Sequence, residues 1–335
     1  MSLVGIIANP ASGKDIRRLV AHASVFDNNE KINILQRILL ALEALGVERV
    51  AFMPDYYGLG EQALDGIRLT TLLPGIIKMP MTASDKDSTE AAARLREMGA
   101  GCIIVLGGDG TNRMVAKESG DVPIVPISTG TNNVFPVMIE GTVAGMAAAL
   151  VARRLVNLDA ATYRAKRLEI YFDGTMADMA LVDVVTSTDL FIGSRAIWEP
   201  QHIREIILSQ AEPGRIGLSA VGGCYHTVRA RDEHGLFLAI GADGEPVLAP
   251  LGPGLVTRIG VQEHRVMGLG DEIRLDPEIG TIALDGERQI EIFGDQPITV
   301  RLTDRGPRVV DIPCCMEEAT RSGVFQQLGR LLERS

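Results

Sequence analysis

The arrangement of apolar and polar residues changes once along this chain, near residue 156. Before that point, runs of consecutive apolar residues alternate with segments in which apolar residues recur every three or four positions. Consecutive apolar residues are typical of strands buried on both faces, and the wider spacing is typical of helices that pack against them. The pattern therefore predicts a mostly parallel, doubly wound sheet in an N-terminal α/β domain.

Strands and helices alternate through most of this first part. The clearest helical spacing is that of Ile34, Leu35 and Ile38, and Asn28 or Asn29 is the expected N-cap of that helix. Asp87 or Ser88 is expected to cap a later helix. The predicted strands are 3–8, 47–53, 74–80, 102–106 and 122–127, and the predicted helices are 30–45, 89–98, 112–118 and 142–155.

After residue 156, short alternating runs are separated by glycine-containing turn signals, which is typical of antiparallel sheets. Strands are predicted at 167–172 and 176–186, one helix between 200 and 210, and a last helix over 316–332 that packs on the first domain. The turn signals lie at 173–174, 222–223, 233–235, 243–244, 285–286, 294–295 and 305–306. We expect an α/β nucleotide-binding domain over 1–155, a β-sandwich-like substrate domain over 156–312 and a C-terminal helix within 313–335.

Composition narrows the class of protein. The 335 residues include 33 Lys and Arg against 43 Asp and Glu, a net charge of −10, so nucleic acid and anionic membrane surfaces are poor partners. No apolar run approaches the ~20 residues of a membrane span. The cysteines are Cys102, Cys224, Cys314 and Cys315, without a Cys-x-x-Cys pair, which is typical of reduced thiols and predicts a cytoplasmic protein.

Three loops rich in glycine and hydroxyl side chains follow three predicted strands, at residues 9–14, 107–111 and 128–133. Loops at the carboxyl ends of parallel strands gather along one crevice, where ligands bind. Amides and hydroxyls suit phosphate groups, so we expect a phosphate-bearing ligand there. The first loop is not a P-loop, because Asn9 stands where that motif has its first glycine and Asp15 follows Lys14.

Asp109 is the strongest candidate for chemistry, because it lies among Gly107, Gly108 and Gly110 at the end of an apolar strand. A carboxylate there can accept a proton from an attacking hydroxyl or hold magnesium, although a capping role at the turn is the simpler alternative. Asp183, inside an apolar strand, needs a partner or a role. Asp285, in an Asp-Gly turn, either forms a hairpin or brings a carboxylate to the crevice.

These residues resemble the superfamily of NAD kinases, diacylglycerol kinases and sphingosine-type lipid kinases, whose signature is GGDGT. The sequence NPASG at 9–13 and the sequence DGE at 285–287 resemble the lipid-kinase branch. The stretches GGDGTNR at 107–113, STGTNNVFP at 128–136, ALVDVV at 180–185 and GSRAIWEP at 193–200 resemble most closely the AcoX proteins of acetoin catabolism.

The resemblance implies an α/β domain, a C-terminal β-sandwich and an active site between them that uses ATP and Mg²⁺. It implies that Asp109 and Glu287 are catalytic and that Asp285 holds the metal, while Asn133 and Asp183 contact the substrate. The implied nucleotide-binding residues are Asn9, Ser12, Gly13, Gly107, Gly108, Gly110, Thr111, Ser128, Gly130, Thr131 and Asn132.

The leading hypothesis is an ATP-dependent kinase of the AcoX type that phosphorylates a hydroxyl of a small molecule, with NAD or NADH as the first candidate acceptor. By analogy with the superfamily, a homodimer is expected. Two alternatives stay open. One is a lipid kinase, suggested by NPASG and DGE. The other is a non-catalytic nucleotide-binding regulator, since the Asn-Glu pair that NAD kinases carry after GGDGT is replaced by Asn132-Asn133.

Overall fold

The computed structural model describes residues 1–13, 26–188, 200–275, 280–286, 288–292 and 297–332. In chain order, its strands are β1 (Leu3–Ala8), β2 (Arg49–Phe52), β3 (Leu73–Ile76), β4 (Cys102–Gly107), β5 (Ile124–Ser128), β6 (Thr162–Arg164), β7 (Arg167–Phe172), β8 (Thr175–Ala180), β9 (Asp183–Ser187), β10 (Ile203–Leu208), β11 (His234–Gly252), β12 (Leu255–Gly268), β13 (Glu272–Leu275), β14 (Gly280–Leu284), β15 (Arg288–Ile292), β16 (Ile298–Thr303) and β17 (Arg308–Val310). Its helices are α1 (Asn28–Ala44), α2 (Leu59–Asp65), α3 (Lys86–Glu97), α4 (Asp109–Ala116), α5 (Gly141–Ala152), α6 (Leu158–Ala161), α7 (Leu218–Tyr225), α8 (Ile312–Arg321) and α9 (Val324–Leu332). None of the helices in these ranges is long and apolar enough to cross a membrane.

The N-terminal α/β domain is built on a sheet with the strand order β3-β2-β1-β4-β5-β17-β6. Strands β1 to β5 pair in parallel, β17 adds in parallel to β5, and β6 pairs antiparallel with β17. Every residue of β1 and β4 is buried, because α1 and α5 pack on one face while α3 and α4 pack on the other. The predicted doubly wound α/β domain is confirmed.

The C-terminal β region consists of two antiparallel sheets, as the turn signals predict. Their orders are β12-β11-β10-β9-β14-β15 and β13-β16-β7-β8. Leu168, Ile207 and Val300 belong to the apolar cluster between the two sheets. On the outer face of the larger sheet, Val221 of α7 packs into a second cluster with Leu208. The region is therefore a sandwich with one helix-covered face.

The last two helices return to the N-terminal α/β domain, which confirms the expected path of the chain. Ile312 and Cys315 of α8 lie in the same apolar cluster as Ala148 of α5. The single helix predicted over 316–332 is wrong, however. The segment forms α8 and α9, because α8 ends at Arg321 with Ser322 as its C-cap, and Gly323 adopts a left-handed φ of 71°, a conformation that stops a helix.

Two predicted helix caps are also wrong. The N-cap of α1 is Asp27, one residue before the expected Asn28 or Asn29, and its carboxylate accepts a hydrogen bond from the amide three residues further on. Asp87 and Ser88, the expected caps of α3, lie inside that helix. In both cases the helix begins earlier than its apolar positions indicate, because polar residues in a first turn carry no periodic signal.

The helix predicted between residues 200 and 210 is wrong as well. Pro200–His202 form a short 3₁₀ turn, and the following segment is β10, which pairs with both β9 and β11. Three isoleucines favour the extended backbone there, since β-branched side chains fit a strand better than a helix. The strand predicted over 176–186 is two strands, β8 and β9, that lie in different sheets.

Some turn signals have other roles. Residues 222–223 lie inside α7, which the sequence does not predict, and residues 234–235 and 243–244 belong to β11. The β11–β12 register shifts next to Gly244, so that glycine marks a bulge rather than a turn. The signals at 173–174 and 285–286 do form turns, whereas 294–295 lie outside the described residues.

A buried lysine fastens the start of the C-terminal β region. Lys166 is only 4% exposed, and its ammonium donates to the carbonyls of Arg229 (3.0 Å) and His234 (2.6 Å). Burial lowers the pKa of Lys166 to about 8, while the nearby charge of Asp232 opposes this effect. The folded protein thus releases this proton at a lower pH than the unfolded chain does.

This difference predicts a pH-dependent stability. Between pH 8 and 10.5 the unfolded chain holds the Lys166 proton more tightly than the folded protein, so stability rises with pH in that window. We expect the free energy of unfolding of the wild type to rise by roughly 2 kcal/mol relative to that of Lys166→Met over the window. Urea unfolding at several pH values measures it, and parallel curves for the two proteins would refute it.

Candidate active site

Asp109 lies where β4 ends and α4 begins, at the rim of the first sheet. Its carboxylate accepts hydrogen bonds from the amides of Val134 (3.1 Å to each oxygen) and Phe135 (2.8 Å). The residue is 9% exposed. The backbone that follows the third loop therefore holds this carboxylate in a fixed orientation.

The two glycines before Asp109 are required by close packing. A Cβ on Gly107 would lie 2.5 Å from the Cβ of Thr111, and a Cβ on Gly108 would lie 2.9 Å from the side-chain oxygen of Asn133. The first distance leaves no room for a side chain at Gly107, and a side chain at Gly108 would displace that of Asn133. The glycines thus allow the second loop to lie against both its own helix and the third loop.

The first turn of α4 lies at the border of a cavity. Among the described residues, no acceptor is bonded to the amides of Gly110 and Thr111, whereas the amide of Asn112 donates to the carbonyl of Gly108. Amides at a helix start carry partial positive charge and bind anions. Since Gly110 and Thr111 both line the larger cavity described below, this turn can hold a phosphate group.

The first loop is held by hydrogen bonds among its own residues and by hydrogen bonds from Lys31. The amides of Ala11 and Ser12 donate to the side chain (2.9 Å) and the carbonyl (3.3 Å) of Asn9. The fully buried ammonium of Lys31 donates to the carbonyls of Asn9 (2.8 Å), Ser12 (2.7 Å) and Pro10 (3.3 Å). This loop therefore offers a ligand a fixed shape and side chains rather than the row of free amides expected from the sequence.

The first loop contacts both of the others. The side-chain amide of Asn9 donates to the hydroxyl of Thr111 (2.9 Å), and the hydroxyl of Thr129 donates to that of Ser12 (2.9 Å). Gly13 has a φ of 73°, and a Cβ there would lie 2.5 Å from the carbonyl oxygen of Thr129. The three loops thus form one connected rim.

The third loop is held by its own side chains. The Ser128 hydroxyl donates to the carbonyl of Gly130 (2.6 Å), and the side-chain amide of Asn133 donates to that hydroxyl (2.8 Å). Thr131 is exposed, and Asn132 is half-buried and lines the cleft between the two parts of the molecule. Asn132 is therefore the member of this loop placed for contact with a ligand in the cleft.

Two cavities are lined by neighbouring residues of the segment 109–111. We call the first the interdomain cleft, and its polar lining is Asp109, Asn132, Asp183, Ser219 and Asp285. We call the second the rim cavity, which has a volume of about 650 Å³ and is lined by the first loop, by Gly110 and Thr111, and by the segments that follow β2 and β3. Asp109 of the second loop thus lines one cavity, and Gly110 and Thr111 line the other.

Asp285 occupies the turn between β14 and β15, and its side chain has no exposed surface. Its carboxylate accepts hydrogen bonds from the amides of Leu181 (3.0 Å), Val182 (2.8 Å) and Asp183 (3.3 Å). Burial raises the pKa of Asp285, while the charge of Arg113 and these amides oppose the rise. The hydrogen bonds explain why the predicted strand breaks between β8 and β9. They also set the position of Asp183, where β9 begins.

The acidic residues of the interdomain cleft suit Mg²⁺ by their chemistry, since it prefers oxygen ligands. In the described part of the chain, however, no three His, Cys, Asp or Glu side chains converge as metal ligands. Mg²⁺ commonly takes one or two carboxylates together with phosphate oxygens of a substrate. The acidic residues of the cleft therefore fit an Mg²⁺ ion that is also bound by the phosphates of a nucleotide. Asp109 or Asp183 would be its protein ligand. Glu287, the second predicted catalytic residue, lies outside the described residues.

The rim cavity has an acidic and partly apolar outer wall. Asp87 accepts hydrogen bonds from the amides of Thr82 (3.0 Å) and Ala83 (2.8 Å), so its carboxylate fastens the segment after β3. Tyr56 is 57% exposed and Met81 is 51% exposed at this cavity. Such surfaces can cover the face of a nucleotide base.

Sequence reasoning missed four residues that shape these cavities: Lys31, Tyr56, Met81 and Arg113. Lys31 left a signal, because it precedes Ile34 and Leu35 on the buried stripe of α1, where a lysine needs acceptors. Arg113 lies within the GGDGTNR stretch, although no role was predicted for it. Tyr56 and Met81 follow β2 and β3 in segments without a periodic pattern, so nothing local identifies them.

Known protein families match both parts of the chain. Residues 4–155 match the family model of the ATP-NAD kinase N-terminal domain, and residues 166–305 match that of the acetoin catabolism protein X C-terminal domain. The chain is also similar to acetoin catabolism protein X of Cupriavidus necator, at 39% identity over 97% of this chain and 94% of that protein. The predicted resemblance is thereby confirmed over nearly the whole sequence.

Proposed function

Since this chain belongs to the acetoin catabolism protein X family, we propose that it transfers the γ-phosphoryl group of ATP to a hydroxyl of a small molecule. In this proposal, ATP occupies the rim cavity and the acceptor occupies the interdomain cleft. The match of the N-terminal domain to ATP-NAD kinases supports the nucleotide, and the family supports a role in acetoin catabolism.

The observation that carries the proposal is that neighbouring residues of the segment 109–111 line both cavities. The amides of Gly110 and Thr111 lie at the rim cavity, where phosphate oxygens can accept from them, and Asp109 lies at the interdomain cleft, where an acceptor hydroxyl can approach it. Phosphoryl transfer needs this arrangement, because donor and acceptor approach in line and the transition state is stabilised mainly by position and charge. The rim cavity, at about 650 Å³, falls within the usual range of ligand sites.

Each candidate residue then has a defined role. Asp109 orients the acceptor hydroxyl and accepts its proton, and Asn132 contacts the acceptor. Mg²⁺ would neutralise charge on the phosphates, and Asp109 or Asp183 would be its protein ligand. Asp285 has a positioning role in place of the metal role predicted for it, because its carboxylate is buried and accepts three amide hydrogen bonds.

The match to ATP-NAD kinases makes NAD(H) the first acceptor to test. The cleft also has apolar walls, formed by Val134, Val185 and Leu251 among others. Such walls beside carboxylates suit an uncharged compound with a short carbon chain. Acetoin and its diol are therefore the second group of acceptors to test.

We expect a phosphorylated product when the protein is incubated with ATP, Mg²⁺ and its acceptor. Mass spectrometry of reactions with NAD, NADH, acetoin, butanediol and glycerol detects that product, and vesicles that contain diacylglycerol test the lipid-kinase alternative. Omission of Mg²⁺ is the control. The absence of product from every acceptor, with ATP bound tightly in calorimetry, would contradict the proposal and favour a non-catalytic regulator.

One observation favours that second candidate. The amides of Ala11 and Ser12 are already bonded within the first loop, and the Asp109 carboxylate already accepts two amide hydrogen bonds. A protein that only senses a nucleotide needs no more than this fixed rim. The assay above separates the two functions, because a regulator binds ATP without turnover.

A further inference from the structure

One face of α4 carries Asp109, and the same face docks on the C-terminal β region. Asp109, Arg113 and Lys117 are spaced four residues apart, a spacing that places side chains on one side of a helix. Arg113 and Lys117, the latter at the end of α4, each reach a carboxylate of the β region. The helix that begins with the candidate catalytic residue is therefore attached to the opposite wall of the cleft.

The first attachment is made by Arg113. Its guanidinium donates to the carbonyl of Leu284 (3.0 Å), and its Nε lies 3.9 Å from the carboxylate of Asp285. The side chain of Arg113 is only 3% exposed. Since Asp285 in turn holds the amides of residues 181–183, a continuous set of contacts joins α4 to Asp183.

The second attachment is the ion pair between Lys117 and Asp178 of β8, at 2.5 Å. The side chain of Asp178 is 6% exposed and also accepts from the amide of Met179 (2.8 Å). Burial raises the pKa of Asp178, but the Lys117 hydrogen bond, the Met179 amide and the charges of Lys117 and Arg113 outweigh it, so that the net shift is downward. This carboxylate is therefore held ionised against its lysine.

Buried ion pairs add little net stability, because desolvation offsets the attraction, yet removal of one partner is costly. An ion pair of this kind is favourable only within a narrow range of distances and orientations of its two groups. It can therefore fix the relative position of the two parts of the chain that it joins. Here the close Lys117–Asp178 pair and the longer Arg113–Asp285 contact span the same junction and start from the same helix face. Asp109 and Asp183 lie on the two sides of that junction, in the interdomain cleft.

We propose that Arg113 and Lys117 are positioning residues that fix α4 against the C-terminal β region and so set the separation of Asp109 and Asp183. The kinetic consequence rests on the proposed phosphotransferase function, whereas the geometric one does not. Arg113 also borders the rim cavity. Lys117 does not line either cavity as described, so its substitution is the cleaner test.

The geometric test uses a pair of spin labels across the junction. Cys224 of α7 is exposed and serves as one site, and Leu40→Cys on α1, at a position 47% exposed, provides the other. Cys314 is replaced by Ser, and Cys102 and Cys315 are buried. We expect a single narrow distance distribution in this background and a broadened or shifted one when Lys117→Met is added.

Matched variants separate the junction from general destabilisation. Lys117→Asp combined with Asp178→Lys should restore the narrow distribution, because the pair is re-formed with exchanged charges. Arg94→Met, which removes an exposed ion pair with Glu90 on α3, should leave it unchanged. Asp178→Asn is the milder variant if Lys117→Met does not fold. Distributions like those of the background protein in both Lys117→Met and Arg113→Met would overturn the proposal.

The kinetic test compares kcat with KM. We expect Lys117→Met to lower kcat at least tenfold while KM for ATP stays within about threefold, because a displacement near 1 Å can cost about a hundredfold in rate. The charge-exchanged double variant should recover most of the loss. An unchanged kcat overturns the positioning role. If the wild type gives no product, the proposed function fails, but the distance measurement still decides whether the helix is fixed.

Discussion

Asp109→Asn should lower kcat for phosphoryl transfer by about 10³-fold and leave ATP affinity within about threefold. The loss is expected because a positioned carboxylate base contributes roughly 10²–10⁴-fold. The amide oxygen of Asn can still accept from the amides of Val134 and Phe135, so the loop should keep its shape. Initial rates with the identified acceptor give kcat, and calorimetry gives the affinity for ATP.

A second Asp→Asn substitution in the N-terminal α/β domain serves as the control. Asp121 is 88% exposed and pairs only at the surface with Arg164, so Asp121→Asn should keep the activity of the wild type. If Asp109→Asn turned over as fast as this control, Asp109 would have no part in the mechanism. The second loop would then have only a binding role.

Lys31→Met should lower the free energy of unfolding by about 3 kcal/mol and weaken ATP binding at least tenfold. Methionine has a similar length but no donor, so the carbonyls of Asn9 and Ser12 would stay buried without their charged partner. The first loop would then lose its contacts with Thr111 and Thr129, which belong to the other two loops. Urea unfolding and calorimetry measure the two effects.

Lys86→Met is the matched control, because Lys86 is exposed at the start of α3. Its effect on unfolding should stay within about 0.5 kcal/mol. A less stable Lys31→Met protein that bound ATP as tightly as the wild type would mean that the first loop shapes the fold and does not contribute to the nucleotide site.

The pattern of apolar residues was sufficient to predict the bounds of an element that its neighbours bury on both faces. The strand Leu3–Ala8 is found at its predicted bounds, because no polar residue interrupts its apolar run and helices cover both of its faces. The strand Ile203–Leu208 was mistaken for a helix, because the positions of Ile203, Ile206 and Ile207 also match the spacing of one helix face. Its pairing with β9 and β11, which the local sequence does not reveal, determines its conformation.

The candidate site was predictable in its loops and not in its long-range contacts. The glycines around Asp109 lie within the five residues 107–111. They identify a loop whose backbone must lie close to a neighbouring segment or a ligand. In contrast, Arg113 meets the carbonyl of Leu284, 171 residues further along the chain. Asp285 likewise binds amides more than one hundred residues before it. Side chains that join distant segments leave no local pattern, since their partners are set by the tertiary fold.

The path of the last segment has a consequence for how the protein is made. Strand β17 lies between β5 and β6 in the first sheet, and α8 completes the apolar cluster around α5. These pieces are synthesised after the C-terminal β region, so the N-terminal half of the molecule stays unfinished until that region has been made. The newly made chain must therefore keep an open sheet edge and an uncovered helix in solution during synthesis, when premature association with other chains is the main risk.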